Sequence, residues 1–142
     1  MARDRIYTSE RYRTVIDSLK EDDVLGLKIA EGKDIFMLAV AMGIADPTPL
    51  KKKVGLFLNT ALKTADRALI ECMLLGTAED DSQIDELADY DKSADLCEQC
   101  AETGYGILLQ KFNDAGRDEE VFERRLIKEL ELLFTKNVAA DI

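Results

Sequence analysis

The chain has 142 residues, 46% apolar and 34% charged, with three cysteines, two prolines and no histidine. That length suits one domain, 1–142, which buries roughly two thirds of its unfolded surface without disulfide or metal, and the lack of histidine excludes the usual general base and the usual serine and cysteine triads. The net charge of −10 is unevenly spread: residues 1–67 hold 12 Lys and Arg against 10 Asp and Glu, whereas 68–142 hold 7 against 19.

The N-terminal "MARDRIYTSERYR" is charged and has no apolar core of a signal peptide. The longest nearly uncharged apolar run, "IFMLAVAMGIA", is about half a membrane span. A cytoplasmic protein with reduced thiols and no membrane contact is expected. The first helix is predicted near "YTSERYRTVIDSLK", with Thr8 or Ser9 as cap and Tyr12, Val15, Ile16 and Leu19 at helical spacing. "EDDVLGLKIAEGK" alternates poorly around Gly26 and reads as a turn, with room for a short extended piece. "DIFMLAVAMG" is apolar all round and ends at Gly43, so a helix over about 34–43 is predicted as the buried centre.

The prolines of "IADPTPLKKKVG" force a loop. A helix follows in "TADRALIECMLLG", with Thr64 as cap, Ala65, Leu69, Cys72 and Met73 inward, and Gly76 as stop. A short helix around Ile84 to Ala88 and a long one from about Ser93 to Phe112 come next. "DEEVFERRLIKELELLFTK" closes the chain as a helix with Phe122, Leu126, Leu130 and Leu133 in register. No segment reads as a strand, so the expected fold is all-α, a single compact bundle of five or six helices.

Cys97 and Cys100 have C-x-x-C spacing, which raises metal and redox chemistry. With Cys72 they make three ligands and no histidine completes a zinc site. Asp95, Glu98 and Glu102 surround the pair with the wrong charge for a lowered thiol pKa. On a helix, Cys97, Cys100, Ala101, Gly104 and Leu108 fall along one stripe of mostly small residues, which predicts close approach of a neighbouring helix, the "FMLAVAM" one being the natural partner. Gly106 has no explanation in this pattern. No cofactor and no metal are expected.

No nucleotide-binding or nucleophile-elbow motif is present. No carboxylate occupies an apolar helix face where burial would raise its pKa, so no enzyme activity and no catalytic residue are proposed from the sequence. Ten carboxylates between Glu79 and Glu102 face the single Lys92. They are either a solvated face or an acidic docking surface for a basic protein partner, carried by Asp80, Asp81, Asp85, Glu86, Asp89 and Asp91. Arg3, Arg5, Arg11 and Arg13, with Lys51, Lys52 and Lys53, form two basic patches that could contact nucleic acid or a partner. The favoured expectation is a non-catalytic helical protein-interaction module; the alternative is a small DNA-binding accessory or regulatory protein. A homo-oligomer is compatible with both.

The pattern D-[IL]-F-x-x-A-x-x-x-G, met by Asp34, Phe36, Ala39 and Gly43, the basic loop Lys51 to Lys53, and a late E-x-x-A-x-x-G, met by Glu98, Ala101 and Gly104, resemble a family of small proteins encoded beside DNA phosphorothioation (dnd) genes in defence islands. The resemblance covers about half the chain. It implies an accessory role in defence against foreign DNA and transfers no catalytic residue. Aromatic residues at the positions of Cys97 and Cys100 in that family fit packing rather than ligation.

Overall fold

A computed structural model describes residues 4–21 and 32–140. In chain order the elements are β1 (Arg5–Ser9), α1 (Glu10–Glu21), α2 (Gly32–Gly43), β2 (Lys53–Leu58), α3 (Thr64–Leu75), α4 (Asp81–Leu87), α5 (Tyr90–Asp114) and α6 (Glu119–Ala140). The described chain is thus mostly helical, as expected, and no described helix is long and apolar enough to cross a membrane. It divides into two compact units, Met1–Leu108 and Leu109–Ile142. Arg3 and the turn expected around Gly26 lie outside the described residues.

In the first unit, α2 buries Ile35, Phe36, Ala39, Val40 and Gly43, so the apolar run is the central helix. It crosses α5 at backbone contact. A Cβ on Gly104 would lie 1.8 Å from the Ala39 carbonyl oxygen, and one on Gly43 would lie 2.0 Å from that of Cys100. The small stripe expected on α5 therefore meets the helix expected to approach it, with Cys97, Cys100 and Ala101 all buried beside the crossing. Gly106 also acquires a reason: a Cβ there would meet the Tyr12 hydroxyl at 2.9 Å.

The sequence reading missed a two-stranded sheet. β1 and β2 pair antiparallel with Ile6 opposite Phe57, Tyr7 opposite Gly55 and Ser9 opposite Lys53, and a bulge falls between Ile6 and Tyr7. The β-branched and aromatic residues of "RIYTS" and "KVGLFL" favour this conformation. Ile6 and Thr8 are buried on one face, and Phe57 meets Phe36 edge-on at 5.5 Å. Ser9, expected as a helix cap, ends β1 instead, and its hydroxyl is turned to α5.

The inward face of α3 also differs from expectation. Ile70 and Leu74 are buried, while Leu69 is 53% exposed and Cys72 is exposed too. Polar contacts accompany this phase: Asp66 receives Lys33 Nζ at 2.9 Å from α2 and the Lys63 N–H at 2.9 Å, and Arg67 lies over the Tyr90 ring at 5.0 Å. Residues 66, 67, 70 and 74 share a face, so turning the first two inward turns Leu69 and Cys72 out.

The second unit is a helical turn-back. Gly116 and Arg117 both take positive φ, +69° and +58°, the Arg117 N–H closes on the Phe112 carbonyl at 2.9 Å, and Asp118 receives the Val121 N–H at 3.1 Å to cap α6. Phe112 and Phe122 meet edge-on at 5.6 Å. Leu126 is half-buried, but Leu130, expected inward, is 59% exposed. Within this unit α5 supplies only residues 109–114 against the 22 residues of α6. The side chain of Leu133 lies outside the described residues.

Gly104→Ala should lower stability by roughly 1–3 kcal/mol or more, because the methyl group meets backbone that cannot step aside. Gly106→Ala tests the other contact. Its gain in helix propensity, about 1 kcal/mol, should be absent in the parent and appear in a Tyr12→Phe background, where the hydroxyl is gone and the next ring atom stands at an ordinary 3.7 Å. Thermal and denaturant unfolding of the five proteins, the parent, Gly104→Ala, Gly106→Ala, Tyr12→Phe and Tyr12→Phe with Gly106→Ala, measures both. An unchanged Gly104→Ala midpoint would contradict the crossing.

Candidate functional site

The β1–β2 pairing joins the two basic patches that lie about forty residues apart in sequence. Ser9 pairs with Lys53, and the Glu10 N–H donates to the Lys52 carbonyl at 3.0 Å. Arg5, Arg11, Lys51, Lys52 and Lys53 are exposed, whereas Arg13 is half-buried, donating to the Gly55 carbonyl at 3.1 Å and lying 3.8 Å from Asp17. Arg11 stacks over Tyr12 at 4.7 Å. Tyr12 itself is buried against Tyr105, ring centroids 5.9 Å apart, so it edges the core rather than offering a face to a base.

Under the sheet lie two carboxylates that the sequence reading assigned to the solvated acidic block. Glu98 is 2% exposed and Glu102 is 7% exposed, one helical turn apart on α5. This corrects the expectation that no carboxylate sits on a buried face. Glu98 receives the Tyr7 N–H at 2.6 Å, and Lys53 Nζ stands 3.9 Å from its other oxygen. Glu102 receives the Ser9 hydroxyl at 2.6 Å. Burial raises the Glu102 pKa above its ordinary value, against the smaller opposing effects of the Ser9 hydrogen bond and the nearby Arg11 charge. Tyr105, fully enclosed beside them, is pushed upward by burial and by both carboxylates.

Glu102 and Ser9 also line a cleft of about 210 Å³ whose other walls come from Arg11 and Tyr12 of α1, Thr48, Pro49 and Lys51 of the loop before β2, and Thr103 of α5. The signal for this site in the sequence is the i, i+4, i+7 spacing of Glu98, Glu102 and Tyr105. It becomes meaningful only once a strand covers that face.

The two cysteines of the C-x-x-C pair sit in the packed interior, and Cys72 is exposed. Cys97 and Cys100 are buried, and burial pushes the Cys100 thiol up to about 11, so it stays protonated at neutral pH and is a poor nucleophile. No group of three or more metal-ligating side chains converges among the described residues.

On another side of the first unit a larger cleft, about 530 Å³, has an apolar floor that includes Ile44, Leu74, Leu87 and Leu96 and a rim holding Glu79, Glu86, Asp95 and the single cation Lys92. Of the six acids expected to form a docking surface, Glu86 alone lines this cleft. Asp80 caps α4 through the Gln83 N–H at 2.9 Å, and Asp89 caps the start of α5 through the Asp91 N–H at 3.0 Å. Asp81 and Asp85 are exposed on α4 and Asp91 is half-buried. Glu79 and Asp95, not singled out from the sequence, complete the rim. Comparison with family models, curated proteins and solved structures finds no match to this chain.

The raised pKa of Glu102 has a sign that can be measured. Its folded value lies above the unfolded one, so the folded state binds a proton more readily, and stability increases as pH falls through the folded value and stops increasing below the ordinary 4.5. Other carboxylates add their own pH dependence, so the comparison is with Glu102→Gln. On going from pH 7 to about 5, the parent should gain stability relative to the variant, as read by urea midpoints. Parallel pH profiles would show that Glu102 pays no burial penalty.

Proposed function

We propose that the chain is a non-catalytic helical interaction module whose acidic cleft docks a basic, amphipathic segment of a partner protein. The observation carrying this reading is the combination in one 530 Å³ cleft of an apolar floor with three carboxylates at the rim. Each apolar side chain a partner seats on that floor contributes about 1.5–3 kcal/mol on full burial. The rim acids select cationic neighbours and speed encounter more than they add affinity. The buried thiols of Cys97 and Cys100, the enclosed Tyr105 hydroxyl and the absence of histidine support a non-catalytic role.

One observation favours a second reading, direct nucleic-acid binding: the sheet gathers Arg5, Arg11, Lys51 and Lys52 in one unit. A single set of measurements separates the two. A random peptide library selected on the folded protein should enrich peptides that combine Lys or Arg with apolar residues at helical spacing. Their binding should weaken several-fold in a Glu79→Lys, Glu86→Lys variant and with added salt. A labelled DNA duplex should bind the parent no better than a Lys51→Glu, Lys52→Glu variant. Steep, salt-sensitive DNA affinity lost in that variant, with no basic peptides enriched, would reverse the ranking.

The accessory role in defence against foreign DNA rests on the resemblance alone. Of the residues that carry it, Ala39, Gly43 and Gly104 meet at the α2–α5 crossing, Phe36, Glu98 and Ala101 are buried, and Lys51 to Lys53 are exposed. Phosphorothioation genes beside this one are the expected context, and a gene neighbourhood without them removes the proposal.

A further inference from the structure

We propose that the cleft between the start of α1, the loop at 48–51 and α5 binds a small hydroxylated phosphate monoester of the sugar phosphate class, with Arg11 and Lys51 holding the phosphate and Glu102 accepting a ligand hydroxyl. Four parts of the chain converge there: the end of β1 with Ser9, the first turn of α1 with Arg11 and Tyr12, the loop with Thr48, Pro49 and Lys51, and α5 with Glu102 and Thr103. The two cations come from different elements, Arg11 from α1 and Lys51 from the loop before β2. A guanidinium fork and an ammonium point charge together match a doubly charged phosphate group.

The carboxylate decides what else the ligand carries. A bare anion beside Glu102 would meet repulsion as well as attraction, whereas a ligand with a hydroxyl donates to it. Glu102 has the capacity: a carboxylate has about four acceptor positions, and Ser9 occupies one, on Oε1. The Ser9 hydrogen bond also fixes the direction of the group, since both side chains are buried. Thr48 and Thr103 are tied to each other at 2.6 Å and shape the wall. Pro49, exposed on the loop, gives an apolar edge for sugar carbons. At about 210 Å³ the cleft is smaller than the ~300–1,000 Å³ of pockets for drug-sized ligands, which favours a single sugar.

A carboxylate sealed in a core is costly, and replacing a buried polar pair by apolar residues is often neutral or stabilising. Glu102 is buried yet opens into a cleft beside two cations, a combination that marks candidate binding sites. The site stands apart from the acidic cleft, so neither reading depends on the other.

Isothermal titration of the folded protein with ribose phosphate, and separately with inorganic phosphate, tests the assignment. Saturable binding of ribose phosphate, tighter than that of inorganic phosphate, is expected. Arg11→Ala with Lys51→Ala should weaken it at least tenfold. Glu102→Gln, whose amide oxygen is a weaker acceptor, should loosen ribose phosphate several-fold and leave inorganic phosphate unchanged or slightly tighter. Arg11 and Lys51 are exposed, so their double variant carries the test even if Glu102→Gln does not fold. No saturable binding, equal affinity for the two titrants, or affinity indifferent to the double variant overturns the proposal.

Discussion

The contact between the backbones of α2 and α5 governs the first unit. Two helices approach this closely only where neither has a side chain in the way, and here each contributes a glycine at the point where the other's carbonyl arrives, Gly43 against Cys100 and Gly104 against Ala39. Side chains at the contact set helix separation, and the small residues that precede Gly104 on the stripe, Cys97, Cys100 and Ala101, keep it short. Cys97 and Cys100 are buried because the stripe that contains Gly104 is buried, and Cys100 Sγ faces the Ile44 carbonyl at 4.0 Å just past the end of α2.

The same crossing turns a second face of α5 toward β1. That face carries Glu98, Glu102 and Tyr105, and the price of enclosing two carboxylates is offset by directed hydrogen bonds rather than by bulk solvent. The Tyr7 N–H and the Ser9 hydroxyl reach them at 2.6 Å, across 91 and 93 positions of sequence. Charge-assisted hydrogen bonds of this kind are about twice as strong as neutral ones. They fix the register of β1 over α5: a one-residue slip would send Tyr7 and Ser9 to the wrong sides and bring Ile6 and Thr8 out of the core. The strand is held by its charge partners as much as by its five residues of pairing.

How much of this was legible follows from which signals are local. The apolar run of α2, the glycine at its end and the small stripe of α5 are periodic within one element, and their meeting could be expected from the sequence. The strands were not, because "RIYTS" is short and merges into a helical pattern, while "KVGLFL" follows a proline loop and contains Gly55, so each lacks the alternation that marks a strand alone. Missing the sheet meant missing the cover over Glu98 and Glu102, which therefore counted with the solvated acids around them. The phase of α3 was misjudged for a related reason. Leu69 and Cys72 form as good a stripe as Ile70 and Leu74, and the face that is buried is the one that also meets Lys33 and Tyr90, residues distant in sequence. Interactions across the chain decide both cases.

One stripe of α5 explains how clefts of opposite character can share a unit this small. Lys92, Leu96, Gln99 and Thr103 lie at i, i+4, i+7 and i+11; the first three line the acidic cleft and the last lines the basic one. Between them runs the loop that leaves α2 at Gly43. It is fastened to α5 midway, the Thr48 N–H on the Gln99 carbonyl at 3.0 Å and the Thr103 hydroxyl on the Asp46 carbonyl. Ile44, Ala45 and Pro47 face one cleft, and Thr48, Pro49 and Lys51 face the other. The prolines that end the helical pattern in the sequence thus shape a common wall. Because both ends of that wall are fixed, one by the Gly43 crossing and the other by Lys53 entering the sheet, its middle is positioned by these two bonds and the Thr48–Thr103 hydroxyl pair, and the separation of positive from negative chemistry depends on the helix crossing that brings α5 within reach.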